Sequence, residues 1–253
     1  MYVSVCAFTA GSLKNNKLSA AAENMKGNVI MKKINVKTQK KENDLTELVF
    51  ILDRSGSMAG LEKDTVGGFN SLLEKQKSES GKALVSTVLF DNERKVLHDR
   101  ADISTVSPIT EKDYYVLGST ALLDAVGFAI HHIGNIHKYA RKEDVPSKTL
   151  FVIITDGMEN SSRFYTANRV KQMIERQKEK YGWEFMFIGA NIDAAETASG
   201  MGISPDYAAD YKADSVGTDA LYENVCMAVS NFRSSNDMGK EWRENLYKDS
   251  ERK

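Results

Sequence analysis

The sequence predicts an α/β domain: a doubly wound, mostly parallel central sheet with helices packed on both of its faces. Two observations predict it. Short apolar runs without polar alternation recur along the chain, and the segments between them carry apolar residues at steps of three and four. A run without alternation is how a strand buried on both faces reads, and that burial belongs to a parallel sheet covered by helices.

Taken in order, the first run is residues 48–52 (Leu-Val-Phe-Ile-Leu), which stops at Asp53. The second is 83–90, a β-branched stretch ending at Asp91 and Asn92. The third is 150–154, ending at Thr155-Asp156-Gly157, and the fourth is 185–188, ending at Gly189-Ala190-Asn191. Helical spacing fills the gaps. Val66, Phe69, Asn70, Leu72 and Leu73 lie in one such stretch, and Leu122, Leu123, Val126, Ile130 and Ile133 in another. Val170, Met173 and Ile174 mark a third, and Leu221, Val225, Val229 and Phe232 a fourth. The alternation runs over residues 44–232 with neither an internal repeat nor a low-complexity linker, which predicts one domain.

The ends read differently. Residues 1–43 show no sustained period of 2 or 3.6 and are expected to form a polar tail. Their first ten residues are mildly apolar but lack the basic segment of a secretory leader, and Met31-Lys32-Lys33-Ile34 reads as an alternative start of translation. Residues 233–253 are charge-rich and are expected to be a solvated tail, although Trp242, Leu246 and Tyr247 fall at helix-like spacing.

Composition narrows the function. Of 253 residues, 42% are hydrophobic and 27% charged, enough apolar material for a real core. Lys and Arg total 34 against 35 Asp and Glu, a formal net charge of −1, which speaks against a nucleic-acid binder built on a broad basic field. The basic stretch Lys171, Arg176, Lys178 and Lys180 reads as a solvated helix face. Two cysteines, Cys6 and Cys226, exclude a disulfide framework and a cysteine-rich zinc site, and they fit a reducing compartment. The apolar runs fall far short of the ~20 residues that a membrane-spanning helix needs. His131, His132 and His137 lack the i,i+4 spacing of a zinc helix.

In a doubly wound sheet, ligands bind beyond the carboxyl ends of the strands. Three such places carry hard oxygen donors. Asp53-Arg54-Ser55-Gly56-Ser57 follows the first run, and Gly56 lets the loop turn so that the carboxylate and both hydroxyls gather on its concave side. Such donors suit Mg²⁺, which takes octahedral oxygen coordination. Gly118-Ser119-Thr120 precedes a helix, so that a hydroxyl there serves either as an N-cap or as a metal donor. Asp156-Gly157 ends the third run, where an aspartate serves either as a turn former or as a ligand. Asp124, one helical turn beyond Thr120, reads as an exposed or capping residue.

Together these stretches resemble the von Willebrand factor type A (VWA) family and its metal-ion-dependent adhesion site. Asp53, Ser55 and Ser57 match the family's Asp-x-Ser-x-Ser, Thr120 its separate threonine, and Asp156 its later aspartate. The flanking Phe50-Ile51-Leu52, Ala121-Leu122-Leu123-Asp124-Ala125 and Thr155-Asp156-Gly157 fit as well. The resemblance implies a Rossmann-like fold and a Mg²⁺ or Mn²⁺ ion held by those five side chains. It also implies a remaining coordination position filled by a Glu or Asp carboxylate of a protein partner. Gly56, Ser119 and Glu159 are expected next to the ligands, and Glu159 and Asn160 read either as surface-loop residues or as residues orienting metal-bound water. The same resemblance implies a bacterial, cytoplasmic adaptor, working beside an AAA ATPase or in a stress-response complex.

Two other functions stand beside this one. A strand-end aspartate with Mg²⁺ is also where aspartyl phosphatases begin, but these use Asp-x-Asp, and Ser55 stands where the second acid would be. Neither a phosphate-binding loop nor a Gly-x-Ser-x-Gly elbow is present. An RNA-binding role in a ribonucleoprotein is the other alternative, disfavoured by the near-neutral charge.

Overall fold

Six strands form one sheet among the described residues. In chain order they are β1 (Leu45–Asp53), β2 (Lys82–Phe90), β3 (Arg94–Asp102), β4 (Lys148–Thr155), β5 (Glu184–Gly189) and β6 (Ala208–Asp210). Their spatial order is β3-β2-β1-β4-β5-β6, and every pairing is parallel except β2 with β3. The structure, a computed structural model, describes residues 44–252. The expected tail at 1–43, the alternative start at Met31 and Cys6 lie outside the described residues.

Helices cover both faces because alternate strand residues point to opposite sides and both sets are apolar. Leu48, Phe50 and Leu52 of β1 face a core shared with α1 (Glu62–Ser78), α5 (Ser215–Ser235) and α6 (Glu241–Ser250). Val49 and Ile51 face the other core, under α2 (Leu122–Tyr139), α3 (Ala167–Tyr181) and α4 (Ala194–Gly200). Gly68 is what lets α1 close on α5, since a Cβ there would lie 2.3 Å from the Tyr222 ring. No helix among the described residues is long and apolar enough to cross a membrane.

The topology decides where a ligand would sit. The strand order reverses at β1 and β4, which pair in parallel from Thr46 with Lys148 to Leu52 with Ile154. At that reversal the connecting loops diverge to opposite faces and leave a crevice beyond the strand ends. Asp53 ends β1 and Asp156 follows β4, so both carboxylates stand at its mouth.

Residues 233–252 depart from expectation. They are not a solvated tail: α5 runs on through Ser235, and α6 then packs against α5 and β6. Trp242 and Leu246 are fully buried, and the Trp242 Nε1–H donates to Gly239 O at 3.1 Å. Two large apolar side chains one helical turn apart are enough to hold an otherwise charged helix against the core.

Candidate metal centre

Asp53 is fixed from three sides. It is 1% exposed; its Oδ1 accepts the Ser55 N–H at 2.7 Å, and its Oδ2 accepts the Thr155 hydroxyl at 2.5 Å. The Tyr114 hydroxyl donates to its carbonyl at 2.5 Å. The chain then tightens into a single 3₁₀ turn, Gly56–Met58, which brings Ser55 Oγ and Ser57 Oγ to 3.1 Å. Ser57 Oγ in turn donates to Asp156 Oδ1 at 2.5 Å.

Backbone bonds hold this loop against the one that carries Thr120. Gly56 N–H donates to Gly118 O at 3.1 Å, and Leu117 N–H to Arg54 O at 2.9 Å. Gly118 has a φ of +62°, and a Cβ there would lie 1.8 Å from Asn92 Oδ1, so a side chain is excluded on both counts. Thr120 is clamped to the third loop: its N–H donates to Asn160 Oδ1 at 2.9 Å, and Asn160 N–H returns to Thr120 O at 3.0 Å. A Cβ on Gly157 would lie 3.2 Å from Ser57 Oγ and 3.3 Å from Thr120 Oγ1. The hydroxyls of two loops therefore converge over the bare Cα of a glycine in the third.

Thr120 is not the N-cap of α2. Ala121 holds that position without a side-chain bond, and the helix is capped from a distance. Glu159 Oε2 accepts the Leu123 N–H at 2.8 Å, and Ser162 Oγ accepts the Asp124 N–H at 3.0 Å. This corrects the expectation for Glu159. Its Oε1 also accepts the Ser161 and Ser162 N–H groups and its Oε2 the Ser162 hydroxyl, so protein donors occupy the carboxylate that one reading gave to metal-bound water. Gly56 acts through its backbone, and Ser119 is half-buried, with no hydrogen bond to the site among the described residues.

Three further residues organise the site in ways the sequence did not assign. Thr155 orients Asp53, and Asn160 holds Thr120. Asp124 is buried rather than exposed, its carboxylate accepting the N–H groups of Arg163, Phe164 and Tyr165 at 2.8–2.9 Å and so folding the 156–166 loop over α2. The Thr155-Asp156-Gly157 triplet was a signal for the first of these. The other two are set by residues 39–41 positions away.

The electrostatics leave the cluster short of positive charge. Burial pushes Asp53 above the ordinary carboxylate range against the pull of its hydrogen bonds. Burial pushes Asp156 up to about 6, and the Asp53 charge adds to it. Asp156 Oδ2 is buried and has no hydrogen-bond partner. Among the described residues no group of three or more His, Cys, Asp and Glu gathers, so a cation here would have to take hydroxyl oxygens as well as carboxylates. An orphaned carboxylate oxygen beside three converging hydroxyls fits a hard divalent cation.

Solved structures share this architecture. A VWA domain of the type V pili tip protein Mfa5 from Porphyromonas gingivalis superposes with a TM-score of 0.54 at 11% identity, over 73% of this chain and 94% of that one. A von Willebrand factor type A protein from Catenulispora acidiphila gives 0.50 at 16%, over 74% and 42%. The chain has the VWA fold. Proximal thread matrix protein 1 from the mussel byssus, solved with a zinc-occupied adhesion-site motif, gives 0.50 at 14%, over 73% of this chain and 46% of that one. This VWA fold thus spans under half the length of the mussel and Catenulispora proteins. No protein-family model and no curated protein matches the sequence, so the likeness is one of fold.

Proposed function

We propose that the chain is a divalent-metal-dependent protein-binding domain. Asp53, Ser55, Ser57, Thr120 and Asp156 hold Mg²⁺ or Mn²⁺, and an acidic side chain of a partner protein completes the coordination. One observation carries the reading: three hydroxyls and two carboxylates from three loops converge where Asp156 Oδ2 is buried without a partner. The two carboxylates balance the dication and the hydroxyls add no charge, so the bound ion supplies a Lewis-acidic seat for one further carboxylate. The chain's own residues do the positioning. Thr155 and the Ser55 N–H aim Asp53, Asn160 aims Thr120, and the bonds from Gly56 and Leu117 keep the first two loops in register. The zinc-occupied motif of the mussel protein, on the same fold, supports the metal.

A phosphatase reading is weaker on this geometry. Ser55, where that chemistry needs an acid, is bonded to Ser57, and a hydroxyl cannot protonate a leaving group near neutral pH.

The test is calorimetric titration of Mn²⁺ and Mg²⁺ into the wild type and Asp156→Ala, followed by affinity capture from a lysate in Mg²⁺ and in EDTA. Single-site uptake that the variant lacks, with a captured protein lost in EDTA and from the variant, is the expected result. No uptake, or capture indifferent to EDTA, would sink the proposal.

A further inference from the structure

Ten large hydrophobic side chains are exposed among the described residues, and four of them, Tyr115, Leu117, Met158 and Phe164, stand on the two loops that deliver Thr120 and Asp156. Met158, 72% exposed, follows directly on Gly157, over which the Ser57 and Thr120 hydroxyls converge. Leu117, 49% exposed, precedes Gly118, whose carbonyl holds Gly56. The Tyr115 ring is seated on the Arg54 guanidinium, 4.9 Å from its centroid. Phe164 is set edge-on against Phe128 at 5.6 Å, and Phe128 lies under the Arg94 guanidinium at 3.6 Å. Single exposed apolar residues are ordinary, but a group of them around one site marks a contact surface.

The same surface is poor in usable charge. Across residues 54–61, 114–121 and 156–166 the charged side chains are Arg54, Asp156, Glu159 and Arg163. Arg54 is buried on Asp91 at 2.8 Å, Glu159 is held by the start of α2, and Asp156 belongs to the cluster itself. Of these charges Arg163, exposed beside Phe164, is left to meet a partner, and both it and a bound dication repel cations.

From this collar we infer the partner's chemistry: its docking carboxylate sits between large apolar side chains, which cover Met158, Leu117 and Tyr115. The inference rests on the metal-bridged reading above and adds what that reading leaves open, namely which acidic segments are chosen. The ion anchors one carboxylate in any sequence. The collar discriminates among its neighbours, because a polar flanking residue laid over Met158, Leu117 or Tyr115 would lose water against apolar surface.

The test pans a phage-displayed peptide library, with one fixed Glu and randomised flanks, on the immobilised full-length protein in Mg²⁺, and elutes with EDTA. Expected are eluted peptides with Leu, Ile, Phe, Met or Trp enriched several-fold beside the Glu. Such a peptide should bind Met158→Ser and Leu117→Ser about tenfold more weakly, while both variants take up Mn²⁺ as the wild type does. Polar flanks, or equal binding to both variants, overturn the inference and leave the metal reading standing. So does a wild type that dimerises in Mg²⁺ through Met158, since a second copy would then be the occupant. An empty EDTA eluate from a protein that takes up Mn²⁺ overturns the inference too; from a protein that takes up none, it overturns the metal reading itself.

Discussion

Ser57 and Asp156 share a hydrogen bond of 2.5 Å although 99 positions separate them in the chain. The bond crosses the point where the strand order reverses, so it joins the loop after β1 to the loop after β4. It occupies only one Asp156 oxygen. The other is buried without a partner, in a place that already raises the energy of the charged form. The cluster is therefore a local cost to the metal-free fold, and two opposite responses follow from relieving it with a proton or with a cation.

The proton response has a definite sign. Asp156 titrates at about 6 in the folded protein, because of burial and the Asp53 charge, against 3.8 for an ordinary aspartate. Between those values Asp156 holds more of its proton in the folded chain than in the unfolded one, so its contribution to stability in EDTA falls as pH rises through that window. Asp156→Asn should flatten the fall and should also abolish stabilisation by Mn²⁺. In the wild type, Mn²⁺ uptake should strengthen over the same rise in pH, since proton and metal compete for one carboxylate. Melting curves of both proteins from pH 4 to 7, with and without Mn²⁺, check this; parallel profiles for the two would refute it.

Thr155 tests whether orientation of Asp53 matters apart from its charge. Its hydroxyl donates to Asp53 Oδ2 at 2.5 Å and lies 3.1 Å from Gly157 O, in a fully buried position. Thr155→Val keeps the shape and removes the donor, leaving a buried carboxylate oxygen short of a bond. The expected cost is about 1–3 kcal/mol of stability and about 10–100-fold in Mn²⁺ affinity. Thr155→Ser should recover most of both. Urea unfolding and Mn²⁺ calorimetry on the three proteins measure it, and full metal affinity in Thr155→Val would show that Asp53 needs no such support.

Which parts of this were legible follows from where each residue finds its partner. The interiors of β1 and β4 could be read because they are apolar on both faces, yet β1 begins at Leu45, before the apolar run, with Thr46 and Glu47 buried. Glu47 is tolerated there because Arg100 lies 2.8 Å and His137 3.2 Å from its carboxylate, partners that only the fold supplies. The edge strand β3 reads Arg-Lys-Val-Leu-His-Asp-Arg-Ala-Asp and shows no apolar run, since a half-exposed antiparallel edge does not require one. The brief β6 and α4 carry too few residues for a period to appear. At the site, Asp53, Ser55, Ser57, Thr120 and Asp156 could be named together through the resemblance to the VWA adhesion site, whereas local spacing alone left Thr120 a cap and Asp156 a turn former. Asp124, Asn160 and Glu159 could not be assigned, because their hydrogen bonds reach into other segments.

The buried α6 gives a further expectation. Trp242 is fully buried in the core that α6 shares with α1 and α5, on the face of the sheet away from α2 and Glu159. Trp242→Ala should cost about 3–5 kcal/mol, while leaving Mn²⁺ affinity within about twofold, since sites far apart without shared partners act independently. Urea midpoints and calorimetry together decide it. A stability loss under about 1 kcal/mol would mean that the segment is a solvated tail after all.

Glu159 separates two jobs for one carboxylate. As the cap it accepts the N–H groups of Leu123, Ser161 and Ser162 and the Ser162 hydroxyl. Glu159→Gln turns one acceptor oxygen into an NH₂ that faces those donors and removes a negative charge from the start of α2. Loss of the bonds should cost about 1–3 kcal/mol, with about 0.3–1 kcal/mol more from the helix dipole. For a domain of this size that corresponds to a fall of roughly 2–4 °C in melting temperature per kcal/mol, seen equally in EDTA and in Mn²⁺. Metal affinity should fall less than for Thr155→Val, because Asn160 still clamps Thr120 in both directions. A water-orienting Glu159 predicts the reverse, namely weaker Mn²⁺ binding at an unchanged melting temperature in EDTA. The two profiles cannot be confused, and the four hydrogen bonds favour the first.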